Sequence, residues 1–162
     1  MKKKIFFFSF SLYKKKNLEF FIMKILEISD YDKHYHALLS ILTQKKESQS
    51  REDFLRFVHS LSDHHQVWVL EDTGRIIATI TLLIENKTIH GGSKVLHVED
   101  VIVHPECQRR GLGKKLLQKA IDTAQETGCY KIILDCTPEN APFYEACGFL
   151  QKQVQMSLYL PS

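Results

Sequence analysis

The feature that most constrains this chain is the strand-like run Leu96-His97-Val98-Glu99-Asp100-Val101-Ile102-Val103, followed by the turn Gln108-Arg109-Arg110-Gly111-Leu112-Gly113-Lys114. Behind the turn, Leu112, Leu116, Leu117, Ala120, Ile121 and Ala124 recur at helical spacing until Gly128, so the order is strand, glycine-punctuated turn, helix. His104-Pro105 closes the strand, because proline cannot donate to a ladder. Such a unit is an anion cradle. Its two glycines let the backbone approach a phosphate closely, and unpaired N–H groups at the helix start face it beside a partial positive charge. Arg109, Arg110 and Lys114 add formal charge at the same place. The familiar nucleotide loops are excluded: there is no G-x-x-x-x-G-K-[ST], and G-x-G lacks its third glycine and its early βαβ position. A different phosphate-bearing ligand is indicated.

A chain of 162 residues can enclose one sizeable core but not two ordinary domains. The net charge of +3 is unevenly spread. Residues 1–22 hold six lysines and one glutamate, and six of the ten phenylalanines, so the remainder is slightly acidic. A domain without clustered positive charge argues against nucleic acid as a partner. Residues 1–22 read as a basic, aromatic extension outside the fold, with residues 23–162 as the domain. Lys14-Lys15-Lys16 stands where small cleavage-site residues would follow an export signal. Membrane association of this extension is conceivable and disfavoured. Cys107, Cys129, Cys136 and Cys147 show no Cys-x-x-Cys spacing, which disfavours a metal site and fits reduced thiols in a cytoplasmic protein. Cys136 and Cys147 read as core-filling.

Along the chain, Lys24 to Ser29 alternates like a strand, and Asp30 is placed to cap a helix carrying Leu38, Leu39, Ile41 and Leu42. Ser50-Arg51-Glu52-Asp53 signals a second helix, with Phe54, Leu55, Val58 and Leu61 on one face. Residues 67–70 and 76–84 flank an Asp72-Thr73-Gly74 turn as a hairpin. His64-His65 reads as a solvated loop. Residues 131–136 form a short strand, 140–147 a short helix ended by Gly148, and 154–160 a last strand.

Gln108, Gly111 and Gly113 match the pyrophosphate-loop signature Gln/Arg-x-x-Gly-x-Gly/Ala, and residues 140–149 match Asn-x-x-Phe-Tyr-x-x-x-Gly-Phe. With these two motifs and this element order, the chain resembles the GCN5-related N-acetyltransferases (GNAT). The resemblance implies an α/β (α+β) GNAT fold: a mixed, mostly antiparallel sheet flanked by helices, its fourth and fifth strands splayed around acetyl-CoA. Residues 99–103 and 134–136 would border the gap. The cofactor residues implied are Val101, Ile102, Val103, Arg109, Arg110, Gly111, Leu112, Gly113, Lys114, Asn140, Tyr144, Glu145 and Ala146. Backbone groups near Val101 and Ile102 would polarise the thioester carbonyl, and Tyr144 would protonate the departing sulfur.

The closer resemblance, over residues 24–160, is to the glucosamine-6-phosphate N-acetyltransferase branch, carried by His97-Val98-Glu99-Asp100-Val101 and Gly128-Cys129-Tyr130-Lys131-Ile132-Ile133-Leu134-Asp135-Cys136. It implies N-acetylation of D-glucosamine 6-phosphate by direct amine attack, in UDP-GlcNAc biosynthesis, by a homodimer. Asp135 would lie near the attacking amine, with Glu99 as its catalytic companion. Thr43, Lys87, His90, Glu99, Asp100, Tyr130 and Lys131 would complete the sugar-phosphate site. Two bland roles remain open: Asp135 as a cap or salt-bridge partner, and Lys131 as a surface charge. The branch usually carries a basic residue near the end of its last strand, where this chain has Tyr159. Another small amine or a protein as acceptor is the alternative, and a non-catalytic CoA-binding module a further one.

Overall fold

The computed structural model describes residues 21–160, so most of the expected N-terminal extension lies outside the described residues. Five strands form one sheet in the order β1 to β5: Ile22–Ile25, His65–Asp72, Arg75–Asn86, Lys94–Val103 and Cys129–Leu134. The first three pairings are antiparallel and β4–β5 is parallel. That last pairing needs a crossover, and α3 (Leu112–Glu126) provides it. Helices α1 (Tyr35–Thr43) and α2 (Arg51–Ser60) follow β1, and the single-turn α4 (Ala141–Glu145) follows β5. The sheet is thus mixed and mostly antiparallel, with helices on both faces.

Strand alternation divides the core into two layers. In β2, Trp68 and Leu70 turn toward α3, where Leu112, Leu116, Leu117 and Ala120 are buried with Ile80, Leu82, Leu96 and Val98. Val67 and Val69 turn the other way and pack with Tyr35, Leu38 and Phe54 of α1 and α2. Ser50 caps α2 as its sequence indicates, its hydroxyl accepting from the Asp53 N–H at 3.0 Å.

Asp30 does not cap α1. It lies in a 3-10 turn, Ile28–Asp32, and α1 begins after His34. The carboxylate is wholly buried and is already engaged, accepting from Lys24 Nζ at 2.7 Å and from the Glu27 N–H at 2.9 Å. Lys33 Nζ stands 3.1 Å from it and 2.8 Å from Glu71 of β2. This network ties β1 and the turn to β2. Burial pushes the Asp30 pKa up, but the hydrogen bonds from Lys24, the Glu27 backbone and Lys33, with the Lys24 charge, more than offset it and leave it lowered.

The expected last strand is missing among the described residues. From Gln151 to Leu160 every residue is exposed and none is in a strand, although Val154, Met156, Leu158 and Leu160 alternate as a strand would. An alternating segment becomes a strand only when an edge accepts it. Cys136 is exposed rather than core-filling, whereas Cys147 packs against the α3-side core.

A carboxylate whose folded pKa is lowered adds stability above its unfolded value, and that stability is lost as pH falls through the folded pKa. Denaturant unfolding of Asp30→Ala should therefore show a loss of about 3 kcal/mol or more at pH 7. The gap from wild type should narrow as the pH falls below the ordinary value of 3.8.

Candidate active site

Beyond the pair Val98–Leu134, β5 stops while β4 runs on to Val103. The two parallel strands therefore part. At the same level β4 carries a bulge against β3. Thr81 pairs with Glu99 and Thr79 with Ile102, so β4 spends one residue more than β3 between those pairs. The extra residue is Asp100, in left-handed backbone with φ 50°, a conformation Asp tolerates better than most side chains. The Thr81 hydroxyl donates to Asp100 Oδ2 at 3.3 Å.

The bulge reverses the alternation of β4. An unbroken strand would turn Glu99, Val101 and Val103 to one face. Here Glu99 opens on a cleft on the α1–α2 face, whereas Val101 and Val103 line a second cleft on the α3 side. Ile102 packs toward the α1–α2 core, so of the three expected cofactor-side residues it is the one whose side chain faces away.

The α3-side cleft, about 640 Å³, is further lined by Gln108, Arg109, Gly111, Leu112, Gly113, Lys114, Asn140, Phe143 and Tyr144. Both glycines have a demonstrable reason. Gly111 precedes α3 at φ 77°, and a Cβ on Gly113 would come within 2.9 Å of the Phe143 ring. The Gln108 side-chain amide donates to the Val103 carbonyl at 3.3 Å, tying the turn to the strand end. The start of α3 thus presents free N–H groups beside Arg109 and Lys114. Arg110 turns aside, its guanidinium 4.7 Å from the Phe21 ring centre. Glu145 and Ala146 are exposed, and Glu145 accepts from Gln151 at 2.9 Å.

Tyr144 is half-buried, edge-on to Phe143 and Phe149. Burial, with Cys136 and Cys147 nearby, raises its pKa, so the phenol keeps its proton at neutral pH and can donate it.

The cleft on the α1–α2 face, about 480 Å³, gathers Thr43, Glu99 and Asp100 as the sequence indicates. It also includes Tyr35, Glu47, Gln49, Phe57 and His65. His65 is no loop residue: it begins β2, pairs with Leu83 and meets the Phe57 ring edge-on. Tyr35 is buried, and that burial pushes its pKa up to about 12. Burial, then the charges of Asp100 and Asp135, raise the pKa of Glu99, with His97 opposing them. Asp135, just past the end of β5, therefore belongs to the same electrostatic cluster.

The expected phosphate ligands are only partly assembled. His90 and Lys131 both meet the Tyr130 ring, with a ring-centre distance of 5.0 Å and an Nζ-to-centre distance of 5.5 Å. Lys87 is bound to Glu85 at 2.5 Å. Tyr159 lies in the exposed C-terminal segment and lines neither cleft.

The arrangement is one gap with a cationic, N–H-rich cleft on one side and an acidic cleft on the other. Comparison with known proteins agrees with it. Residues 31–149 match the model of the acetyltransferase (GNAT) family. The chain is 43% identical over 140 residues to a probable glucosamine 6-phosphate N-acetyltransferase 2 of Oryza sativa subsp. japonica, covering 83% of this chain and 84% of that one. It is 40% identical to the glucosamine 6-phosphate N-acetyltransferase of Arabidopsis thaliana over 87% of this chain and 97% of that protein. The crystal structure of glucosamine-6-phosphate N-acetyltransferase from Arabidopsis thaliana superposes with a TM-score of 0.83 at 38% identity, covering 88% of this chain and all of that one. The chain belongs to the GNAT acetyltransferase family, in its glucosamine 6-phosphate N-acetyltransferase branch.

Proposed function

We propose that this chain transfers the acetyl group of acetyl-CoA to the amino group of D-glucosamine 6-phosphate, giving N-acetyl-D-glucosamine 6-phosphate and CoA. The observation that carries the reading is the reversal of β4 at Asp100, which lets one strand line both clefts. Acetyl-CoA supplies an activated thioester. Residues 109–114 hold its pyrophosphate, with Asn140 and Tyr144 beside the rest of the cofactor. N–H groups near Val101 and Ile102 stabilise the negative charge that develops on the carbonyl oxygen.

On the acceptor side, Glu99, Asp100 and Asp135 attract an ammonium. Glu99, whose pKa is raised, takes its proton, and the freed nitrogen lone pair forms the C–N bond. As the C–S bond breaks, Tyr144 gives its proton to the sulfur; the second amine proton, shed by the nitrogen as it becomes an amide, passes to solvent, from which Tyr144 is reprotonated. Thr43 and Asp100 bind sugar hydroxyls, and His90, Lys131 and Lys87 meet the phosphate. The engagement of Lys87 by Glu85 and the neutral Tyr159 favour, as a second reading, an acceptor lacking phosphate.

The active form is a homodimer. Tyr130 is half-exposed on β5, a strand that among the described residues pairs on one side only, with β4. Val154, Met156, Leu158 and Leu160 present apolar side chains to solvent, each more than three-quarters exposed. A second copy of the chain would cover both and bring its own residues to the phosphate end of the acceptor cleft.

Thiol release from acetyl-CoA across a panel of amines should be fastest with D-glucosamine 6-phosphate; equal or faster turnover of glucosamine, polyamines or peptides would overturn the assignment. Tyr144→Phe should lower kcat by about 100-fold or more while calorimetric CoA affinity stays near that of the wild type. Gly113→Ala should do the reverse, weakening CoA by about tenfold through the collision with Phe143. Sedimentation should give a dimer, and Val154→Asp with Leu158→Asp should give a monomer of reduced activity.

A further inference from the structure

His97 takes no part in the chemistry derived so far, yet it stands inside the acceptor face. Sheet register fixes its neighbours. His65, Leu83, His97 and Ile133 form one row across β2, β3, β4 and β5, all turned to the α1–α2 face. The row on one side contains Glu85, Val95 and Lys131, and the row on the other contains Thr81 and Glu99. His97 is therefore the side chain lying between Glu85 and Glu99.

Its hydrogen bond is defined. His97 Nε2 lies 2.9 Å from Glu85 Oε2. The same carboxylate accepts from Lys87 at 2.5 Å. The bonds from Lys87 and His97 lower the Glu85 pKa, so Glu85 is ionised and can only accept. Nε2 therefore carries the proton, and the ring is held in one orientation. Uptake of a second proton, at Nδ1, would place positive charge in the row beside Glu99 and favour its ionisation.

Glu99 needs such a partner. Burial opposes its ionisation, and the like charges of Asp100 and Asp135 add to that; His97 is the group that works the other way. A base too easily protonated would carry its proton before the substrate arrives. Protonation of the pair by one step more would also cost the ammonium its counter-charge.

We propose that His97 is a positioning residue: held by Glu85, it keeps Glu99 in the ionised form that accepts the ammonium proton. The inference rests on the assignment of Glu99 as proton acceptor. The titratable and charged groups facing this pair are Glu85 of β3, Lys87 of the turn after it, Asp100 of β4, Lys131 of β5, Asp135 just past β5, Tyr35 and Glu47 across the cleft, and His65 across Leu83. The carboxylates among them outnumber the fixed cations, which is why one more cation in the row matters.

The test is the pH dependence of kcat/KM for glucosamine 6-phosphate at saturating acetyl-CoA, in wild type, His97→Gln, His97→Lys, Glu85→Gln and Glu99→Gln. Ionisation of the substrate amine is common to all five proteins, so differences between them report the enzyme. His97→Gln should move the acidic limb up by about half a unit, roughly a threefold loss on that limb. His97→Lys, which restores a cation without the imidazole, should return the limb toward its wild-type position. Glu85→Gln should move it in the same direction as His97→Gln. An unmoved limb in His97→Gln, with or without a uniform fall in rate, overturns the proposal and leaves His97 a packing residue. Near-wild-type turnover in Glu99→Gln would instead remove the base assignment itself, a failure distinguishable from the first.

Discussion

One residue too many in β4 is the constraint on which the rest of the site depends. Asp100 occupies left-handed backbone where β3 has no counterpart, and the pleat changes phase there. Residues that a regular strand would send to one face are divided between two. Because β5 ends its pairing at Leu134, one residue short of Asp135, the division coincides with a physical opening. Either event alone would give less: a bulge in a closed sheet has nowhere to place a ligand, and an opening without a bulge would be lined by one kind of side chain.

Charge is sorted across this opening. On the α3 side, helix N–H groups, Arg109 and Lys114 suit a pyrophosphate. On the other side, burial and the charges of Asp100 and Asp135 raise the cost of ionising Glu99, and an arriving ammonium would relieve it. The sorting favours acetyl donor and amine acceptor in opposite clefts with the thioester between them. It also separates the proposed acid from the proposed base. Tyr144, half-buried, holds its proton, and in the proposed mechanism Glu99 takes one.

Much of this was legible in the sequence, because local rules govern it. The Gly111-Leu112-Gly113 turn, the Ser50 cap and the hairpin around Gly74 each depend on neighbours a few residues away, and each is where the pattern places it. The bulge was not legible: Glu99 to Val103 reads as an uninterrupted strand, and only the register against Thr79 and Thr81 exposes the extra residue. Asp30 misled for a similar reason. Its spacing suits a cap, but Lys24 and Lys33 engage it first. His65 looked like loop because its apolar row-mates, Leu83 and Ile133, lie on other strands. Residues 154–160 alternate as a strand would, but no strand forms there, because the edge that would make one does not come from the described residues.

In the proposed mechanism the acetyl group crosses the gap directly, with donor and acceptor bound together. Cys136 is exposed next to Asp135, so a covalent acetyl-cysteine path is the chemical rival. Initial rates measured over a grid of acetyl-CoA and glucosamine 6-phosphate concentrations decide between them. Direct transfer predicts intersecting double-reciprocal lines, as a ternary complex requires; parallel lines, accompanied by an acetylated enzyme when acetyl-CoA is given alone, would contradict it.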